Sequence, residues 1–127
     1  MPLKTALFLA AGLLAIGGCE DPRERQSHQA VQQLVKATPS RVRLAQERVV
    51  AMGRFALVDV EQELHGANLA IRLRLIDAMR DIGDRQALPL LRFLERWDDA
   101  KLAREAAGEA RRAIGQAATS GHSNKPR

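Results

Sequence analysis

Apolar residues recur at helical spacing through most of this 127-residue chain. The clearest segment is NLAIRLRLIDAMRDIGD, residues 68–84, in which Ile71 and Leu75 fall on one face of a helix. Asn68 is a suitable N-cap, and Gly83 suits a left-handed stop at the helix end. No run of alternating β-branched residues indicates a strand. The pattern therefore predicts an all-α fold.

The same periodicity extends from residue 28 to residue 115. Prolines, glycines and capping residues predict breaks near 38–40, 55–57, 66–68, 83–84 and 98–99. Six helices result, and connections this short make consecutive helices antiparallel. We therefore expect three helical hairpins over residues 28–115. The small, polar segment 116–127 predicts a disordered tail.

An internal repeat is visible within this helical region. At an offset of 32 residues, segment 71–83 matches segment 103–115, and the last match places Gly83 on Gly115. A degenerate third copy covers residues 42–53. Self-similarity at this period is typical of stacked helical hairpins, and it predicts a second helix stop at Gly115.

The turn residues of the last repeat carry a family resemblance. The order is Ile82-Gly83-Asp84, then Ala87-Leu88-Pro89, then an acidic turn at Asp98-Asp99, then Arg104. This order resembles HEAT repeats of the short bacterial type that are related to phycobilin lyases. The resemblance is good over residues 68–115 and weaker over residues 28–67.

The resemblance implies an αα-superhelix of about three HEAT-like hairpins, with an atypical, capping first hairpin. It also implies that the second helix of each hairpin lines the inner face. Pro89 should bend its helix, and Arg104 should pair with Asp98 or Asp99 to hold the repeats together. Trp97, at the end of an apolar stripe, is expected at the edge of the core.

A separate segment precedes the helical region. Lys4 is followed by an apolar run at residues 6–16, by Gly17 and Gly18, and by Cys19, the only cysteine in the chain. A basic start, a short apolar run and small residues at its end are typical of a secretory signal peptide, here residues 1–18. The run is too short to cross a bilayer as a helix.

Ile16-Gly17-Gly18-Cys19 resembles the lipobox of bacterial lipoproteins. The resemblance implies a diacylglyceryl group on the Cys19 thiol and cleavage before this residue. Residues 19–27 would then be the lipidated cysteine and a polar tether. We expect an exported, lipid-anchored protein of the cell envelope. Glu20 leaves the choice between inner and outer membrane open.

The charge of +5 does not indicate nucleic-acid binding. Basic residues alternate with acidic ones, and aromatic side chains, at 3% of residues, are too few to stack on bases. A mildly basic surface near anionic lipid is the simpler interpretation.

Catalytic chemistry has little support in the sequence. His28, His65 and His122 have no partners at metal-ligand spacing, and no nucleophile or phosphate-loop motif is present. We therefore expect no catalytic residues, no metal, no cofactor and no small-molecule substrate.

Two functions remain open. The first is a non-catalytic interaction or scaffold module that binds unidentified envelope proteins. The second is an accessory or lyase-like subunit of an envelope enzyme or cofactor-attachment system. For the first, Arg74, Asp77 and Asp81 share one side of the predicted 69–82 helix and are the candidate partner-binding residues. The alternative for these three residues is an ordinary solvated face.

Overall fold

The computed structural model describes residues 21–123, which form six α-helices and no strand. The helices are α1 (Pro22–Lys36), α2 (Val42–Met52), α3 (Leu57–Leu64), α4 (Leu69–Ile82), α5 (Leu88–Trp97) and α6 (Lys101–Ser123). Short 3-10 turns at Gly53–Ala56 and Arg85–Ala87 lead into α3 and α5. The predicted all-α fold is confirmed, and each predicted break lies within a few residues of an observed one. The predicted signal peptide and Cys19 lie outside the described residues.

Local capping explains where several helices begin and end. The Asn68 side chain accepts a hydrogen bond from the Ile71 backbone N–H at 2.9 Å, as its N-cap position predicts. Asp21 caps α1 by accepting from the Arg23 N–H at 3.0 Å. Gly83 ends α4 with φ +69°, a left-handed conformation that glycine adopts at no steric cost.

The helices stack in two layers. Consecutive helices pair as α1 with α2, α3 with α4 and α5 with α6, and the second helices pack in the order α2, α4, α6. In the first layer α1 packs beside α3. The core is almost entirely aliphatic. The central helix α4 contributes four core residues whose side chains are at most 1% exposed to solvent: Leu75, Ile76, Ala78 and Met79.

Polar contacts between successive hairpins repeat at a nearly constant spacing. His28 Nδ1 lies 3.2 Å from Asp59 Oδ1, and Gln32 donates to Glu63 one turn further along. In the second layer Gln46 donates to Asp77 at 3.1 Å. Each pair is separated by 31 residues, and the two successive contacts in the first layer show that α1 runs parallel to α3. This spacing agrees with the repeat found in the sequence.

Both ends of the helical region extend beyond the predicted limits. α1 begins at Pro22, so most of the predicted tether at 19–27 is helical. Pro22 fits because the first helical position needs no backbone N–H. The Ser27 hydroxyl is buried and donates to the Asp59 carboxylate at 2.9 Å, which fixes the first turns of α1 on α3.

At the other end, α6 passes through Gly115 and continues to Ser123. The predicted helix stop at Gly115 is therefore wrong, and residues 116–123 are helical where a tail was predicted. Gly83 ends a helix because Asp84 follows it and caps the next turn by accepting from the Gln86 N–H. Gln116 and Ala117 follow Gly115 and favour helix instead.

Two further predictions about α5 are corrected. Pro89 lies in the first turn of α5, because the turn Arg85–Ala87 is a separate 3-10 segment. It therefore removes no helical hydrogen bond and has no reason to bend the helix. Trp97 is 65% exposed rather than packed at the edge of the core.

Alanine substitutions at Gly83 and Gly115 distinguish a glycine that ends a helix from one in a helix interior. Gly83→Ala should destabilise the protein by about 1 kcal/mol, because alanine is strained in the left-handed region. Gly115→Ala should stabilise it by about 0.5–1 kcal/mol, because alanine is the better helix former and its Cβ would meet open space. Chemical denaturation of both variants measures the difference, and equal destabilisation would contradict the continuous α6.

An ion pair joins α5 to α6. The Arg111 guanidinium donates to both Glu95 oxygens at 2.6 and 3.2 Å. Gly108 leaves room for the pair, since a Cβ there would lie 2.9 Å from Glu95 Oε1. The hydrogen bond from Arg111 holds the pKa of Glu95 below its usual range.

A lowered pKa in the folded state makes this contact sensitive to acid. Its contribution to the free energy of unfolding is present above the ordinary glutamate pKa and is lost as the pH falls through the lowered value. Glu95→Gln should therefore flatten the acid limb of a stability-against-pH curve, measured by denaturation at several pH values. Arg111→Gln should flatten it equally, and an acid limb unchanged in both variants would contradict the assignment.

Candidate docking surfaces

The exposed side of the second layer forms a shallow groove. Two adjoining clefts of about 350 and 630 Å³ share Val42, Gln46 and Asp77 in their walls. The smaller cleft crosses from α2 over α4 to α6, where Ala106 and Glu109 line it. We call this surface, between α2, α4 and α6, the second-layer groove. All three predicted partner-binding residues lie in it or on its rim.

Arg74 is held by contacts with another hairpin. Its Nη1 donates to the carbonyl oxygen of Ala37 at 2.8 Å and to that of Leu34 at 3.3 Å. These carbonyls belong to the C-terminal end of α1, where the Leu34 oxygen also accepts from the Ala37 N–H at 3.4 Å and the Ala37 oxygen lies past the last helical residue. A cation at this position also complements the helix dipole. Arg74 therefore caps α1 and fastens the first hairpin to the second.

Asp77 and Asp81 are both exposed and share one donor. Gln46 Nε2 lies 3.1 Å from Asp77 Oδ2 and 2.7 Å from Asp81 Oδ2. Their remaining lone pairs face solvent in the groove, and Glu109 adds a third carboxylate to its wall. The groove can therefore receive cationic groups. Sequence reasoning missed Gln46, for which the only available signal was its spacing of 31 residues from Asp77.

The acidic turn before α6 is bonded to arginines of two helices. Arg104 donates to the Asp98 carbonyl oxygen at 2.7 Å, so it bonds within the repeat as expected, although to the backbone rather than to a carboxylate. The link to the preceding hairpin comes from Arg72, whose Nη2 lies 3.0 Å from Asp99 and 3.4 Å from Asp98. Neither arginine is available as a ligand clamp.

The outer side of the first hairpin carries a larger cleft of about 1040 Å³. Residues of α1, α2 and their connection line it, including Gln29, Gln33 and Arg48, and Arg48 donates to Gln33 at 3.0 Å. A polar end face is what the terminal unit of a helical array requires. This cleft is therefore explained as the end of the stack.

Helix α5 exposes two large hydrophobic residues. Phe93 and Trp97 are 60% and 65% exposed, and they lie one turn apart, beside the stripe that holds the buried Leu91 and Leu94. The Arg96 guanidinium lies 5.3 Å from the centre of the Trp97 ring. We call this surface the α5 outer face and define it by Arg85, Pro89, Arg92, Phe93, Arg96 and Trp97.

Histidines and acidic residues do not gather into a metal site in the part of the chain that the structure describes. Within residues 21–123, no group of three or more His, Cys, Asp or Glu side chains is placed to hold a metal ion. His28 is paired with Asp59, and His65 follows the last residue of α3. None of the helices between residues 21 and 123 is long and apolar enough to span a membrane.

Comparisons with known proteins gave no relatives: no protein-family model, no curated protein and no solved structure matches the chain.

The contacts of Arg74 predict a structural phenotype. Arg74→Ala removes the donor of the Ala37 carbonyl and one of the two donors of the Leu34 carbonyl, so we expect a loss of about 1–2 kcal/mol in the free energy of unfolding. Arg80→Ala, on the same helix and exposed, should change stability by no more than about 0.5 kcal/mol. Urea denaturation compares the two, and equal effects would contradict the capping role.

Proposed function

We propose that this protein is a lipoprotein of the cell envelope, anchored through lipid on Cys19, whose helical repeat domain is a non-catalytic interaction or scaffold module. Two features support the proposal. The N-terminal segment combines Lys4, a short apolar run and the lipobox-like Ile16–Cys19 sequence. The helices stack into a two-layer array with an open groove on one side, which is how helical repeat proteins commonly present a binding surface.

The second-layer groove is the observation on which the binding role depends. Arg74 donates to the Ala37 carbonyl, and Gln46 donates to Asp77 and Asp81, so two of the walls of the groove are joined by side-chain contacts. The walls of the groove carry four carboxylates and three guanidinium groups, and Asp77 and Asp81 are exposed one turn apart on α4, so the partner protein should present lysine or arginine side chains to these two residues.

The turn order from Ile82 to Arg104, which resembles HEAT repeats, agrees with this role. In such arrays the second helix of each hairpin lines the inner face, and here α2, α4 and α6 are the helices that form the groove. Arg74 joins two hairpins and is therefore not expected to contact the partner protein. Asp77 and Asp81 are therefore the two residues to test for binding.

Lipid attachment is tested directly by metabolic labelling. Cells that make the wild-type chain should incorporate a fatty-acid probe into it, and Cys19→Ala should abolish the label because the thiol is the proposed acceptor. An exposed-site variant such as Glu61→Ala should keep the label. Equal labelling of the wild-type and Cys19→Ala proteins would contradict lipidation at this residue.

Partner binding is tested by crosslinking from the groove. A photoreactive residue at the exposed position Ala70, which lines the groove, should capture an envelope protein in cells, while one at Gln62 on α3 should not. Asp77→Ala with Asp81→Ala should weaken this crosslink by about tenfold, since interfacial charge pairs contribute about 1–2 kcal/mol. Glu61→Ala with Glu105→Ala removes the same charge elsewhere and should leave it intact.

The measurement also requires an unchanged fold. Asp77 and Asp81 are exposed, so their removal should shift the free energy of unfolding by no more than about 0.5 kcal/mol. A crosslink of unchanged yield in the Asp77 and Asp81 variant would refute the groove as the binding site, whatever the outcome of the lipid labelling.

A further inference from the structure

The α5 outer face combines exposed aromatic rings with cations. Phe93 and Trp97 together expose more large hydrophobic surface than any other pair one turn apart in the part of the chain that the structure describes. Arg92 and Arg96 alternate with them along the same side of α5. An exposed apolar pair of this kind needs a physical reason, because burying it against a partner or a lipid surface would stabilise the contact.

The charge of this face is wholly positive. Arg85 and Arg92 are exposed, and neither has an acidic partner among residues 21–123. The nearest carboxylate along α5, Glu95, is already paired with Arg111. Past the end of the helix, Asp98 and Asp99 are paired with Arg72. Arg96 also has no ion pair among residues 21–123, and its guanidinium lies 5.3 Å from the centre of the Trp97 ring, so three arginines without an acidic partner belong to the same face as the two aromatic rings.

This composition matches one occupant, a membrane surface that carries anionic headgroups. Tryptophan partitions into the headgroup region, where its indole N–H stays hydrated, and phenylalanine places its apolar ring on the lipid side of the same region. Arginine side chains reach phosphate oxygens while their methylene stems cover apolar surface. Arginine and aromatic residues also occur together in protein interfaces, so an acidic protein is the other occupant that the experiment has to separate, and the short span from the proposed anchor favours the membrane.

The position of the chain start brings a membrane within reach. α1 begins at Pro22, so only Glu20 and Asp21 separate Cys19 from the first helix, a span of roughly 10 Å when extended. α1 is the first helix of the first hairpin, and α5 is the first helix of the last hairpin. An anchor at Cys19 would therefore hold the helical domain close to the bilayer without a long tether.

We propose that the α5 outer face docks on anionic phospholipid, with Phe93 and Trp97 in the headgroup region and Arg92 and Arg96 on lipid phosphates. The geometric part of this inference, the short span from the anchor, rests on the proposed lipidation of Cys19. The chemistry of the face does not depend on the lipidation of Cys19, so docking and anchoring can be refuted separately.

Trp97 is the only tryptophan in the chain, and tyrosine is absent, so intrinsic fluorescence reports on this face alone. The purified full chain is incorporated into vesicles of phosphatidylcholine, with or without phosphatidylglycerol. With phosphatidylglycerol present, the emission of Trp97 should shift to shorter wavelength, lipids brominated on the acyl chain should quench it, and iodide should lose access to it. In phosphatidylcholine alone these changes should be much smaller.

The arginines are tested by matched charge removal. Each cation near an anionic surface contributes about a fivefold factor, so Arg92→Gln with Arg96→Gln should lower the ratio of docked to undocked protein roughly thirtyfold. Arg43→Gln with Arg80→Gln removes the same charge from α2 and α4 and should leave docking unchanged. Each variant is compared with its own spectrum without vesicles, because Arg96 contacts the Trp97 ring, and circular dichroism checks that the helices are intact.

Three results would overturn the proposal. Trp97 could stay open to iodide in vesicles that contain phosphatidylglycerol. Its protection could depend on protein concentration and not on lipid charge, which would assign the face to a second copy of the chain. Protection could also arise only when another envelope protein is added. Fatty-acid labelling of the same preparation shows whether Cys19 carries lipid, so a failure of docking is told apart from a failure of anchoring.

Discussion

The burial of α4 is the constraint on which the rest of the structure depends. Its side chains Leu75, Ile76 and Met79 are at most 1% exposed, and α4 packs against both α2 and α6. A single hairpin cannot cover such a helix on two sides, so the outer hairpins are required for its stability. Polar contacts then set the register, because Arg74 fastens α4 to the end of α1 and Arg72 fastens it to the turn before α6.

Capping residues could be predicted from the sequence where the helix end depends only on nearby residues. Asn68 and Gly83 act as predicted because a cap depends on residues within one turn of itself. Gly115 matched Gly83 in the repeat, yet its helix continues, because a stop also requires a capping residue such as Asp84 after it. The repeat thus located the helices correctly and misplaced the end of the last one.

Contacts between residues far apart in the chain could not be predicted from the sequence. Periodicity placed Arg74 beside Asp77 on a polar face, and nothing local showed that its guanidinium reaches carbonyls 37 and 40 residues away. The aromatic rings of α5 illustrate a second limit. This helix carries apolar residues on two sides, and only packing against α6 decides that Leu91 and Leu94 are buried while Phe93 and Trp97 stay exposed. A spacing of four residues between aromatics, with arginines beside them, was the available signal.

The two candidate surfaces differ in character and lie on different helices. The second-layer groove is lined by α2, α4 and α6 and presents Asp77, Asp81 and Glu109, while the α5 outer face presents arginines and aromatic rings. An anionic bilayer would attract the α5 outer face and would repel the exposed carboxylates of the groove. If the domain is anchored as proposed, this difference in charge would turn the groove away from the lipid, where a partner protein would reach it. A lipid anchor by itself would restrict position without fixing orientation, so the charge on the two surfaces would supply the orientation.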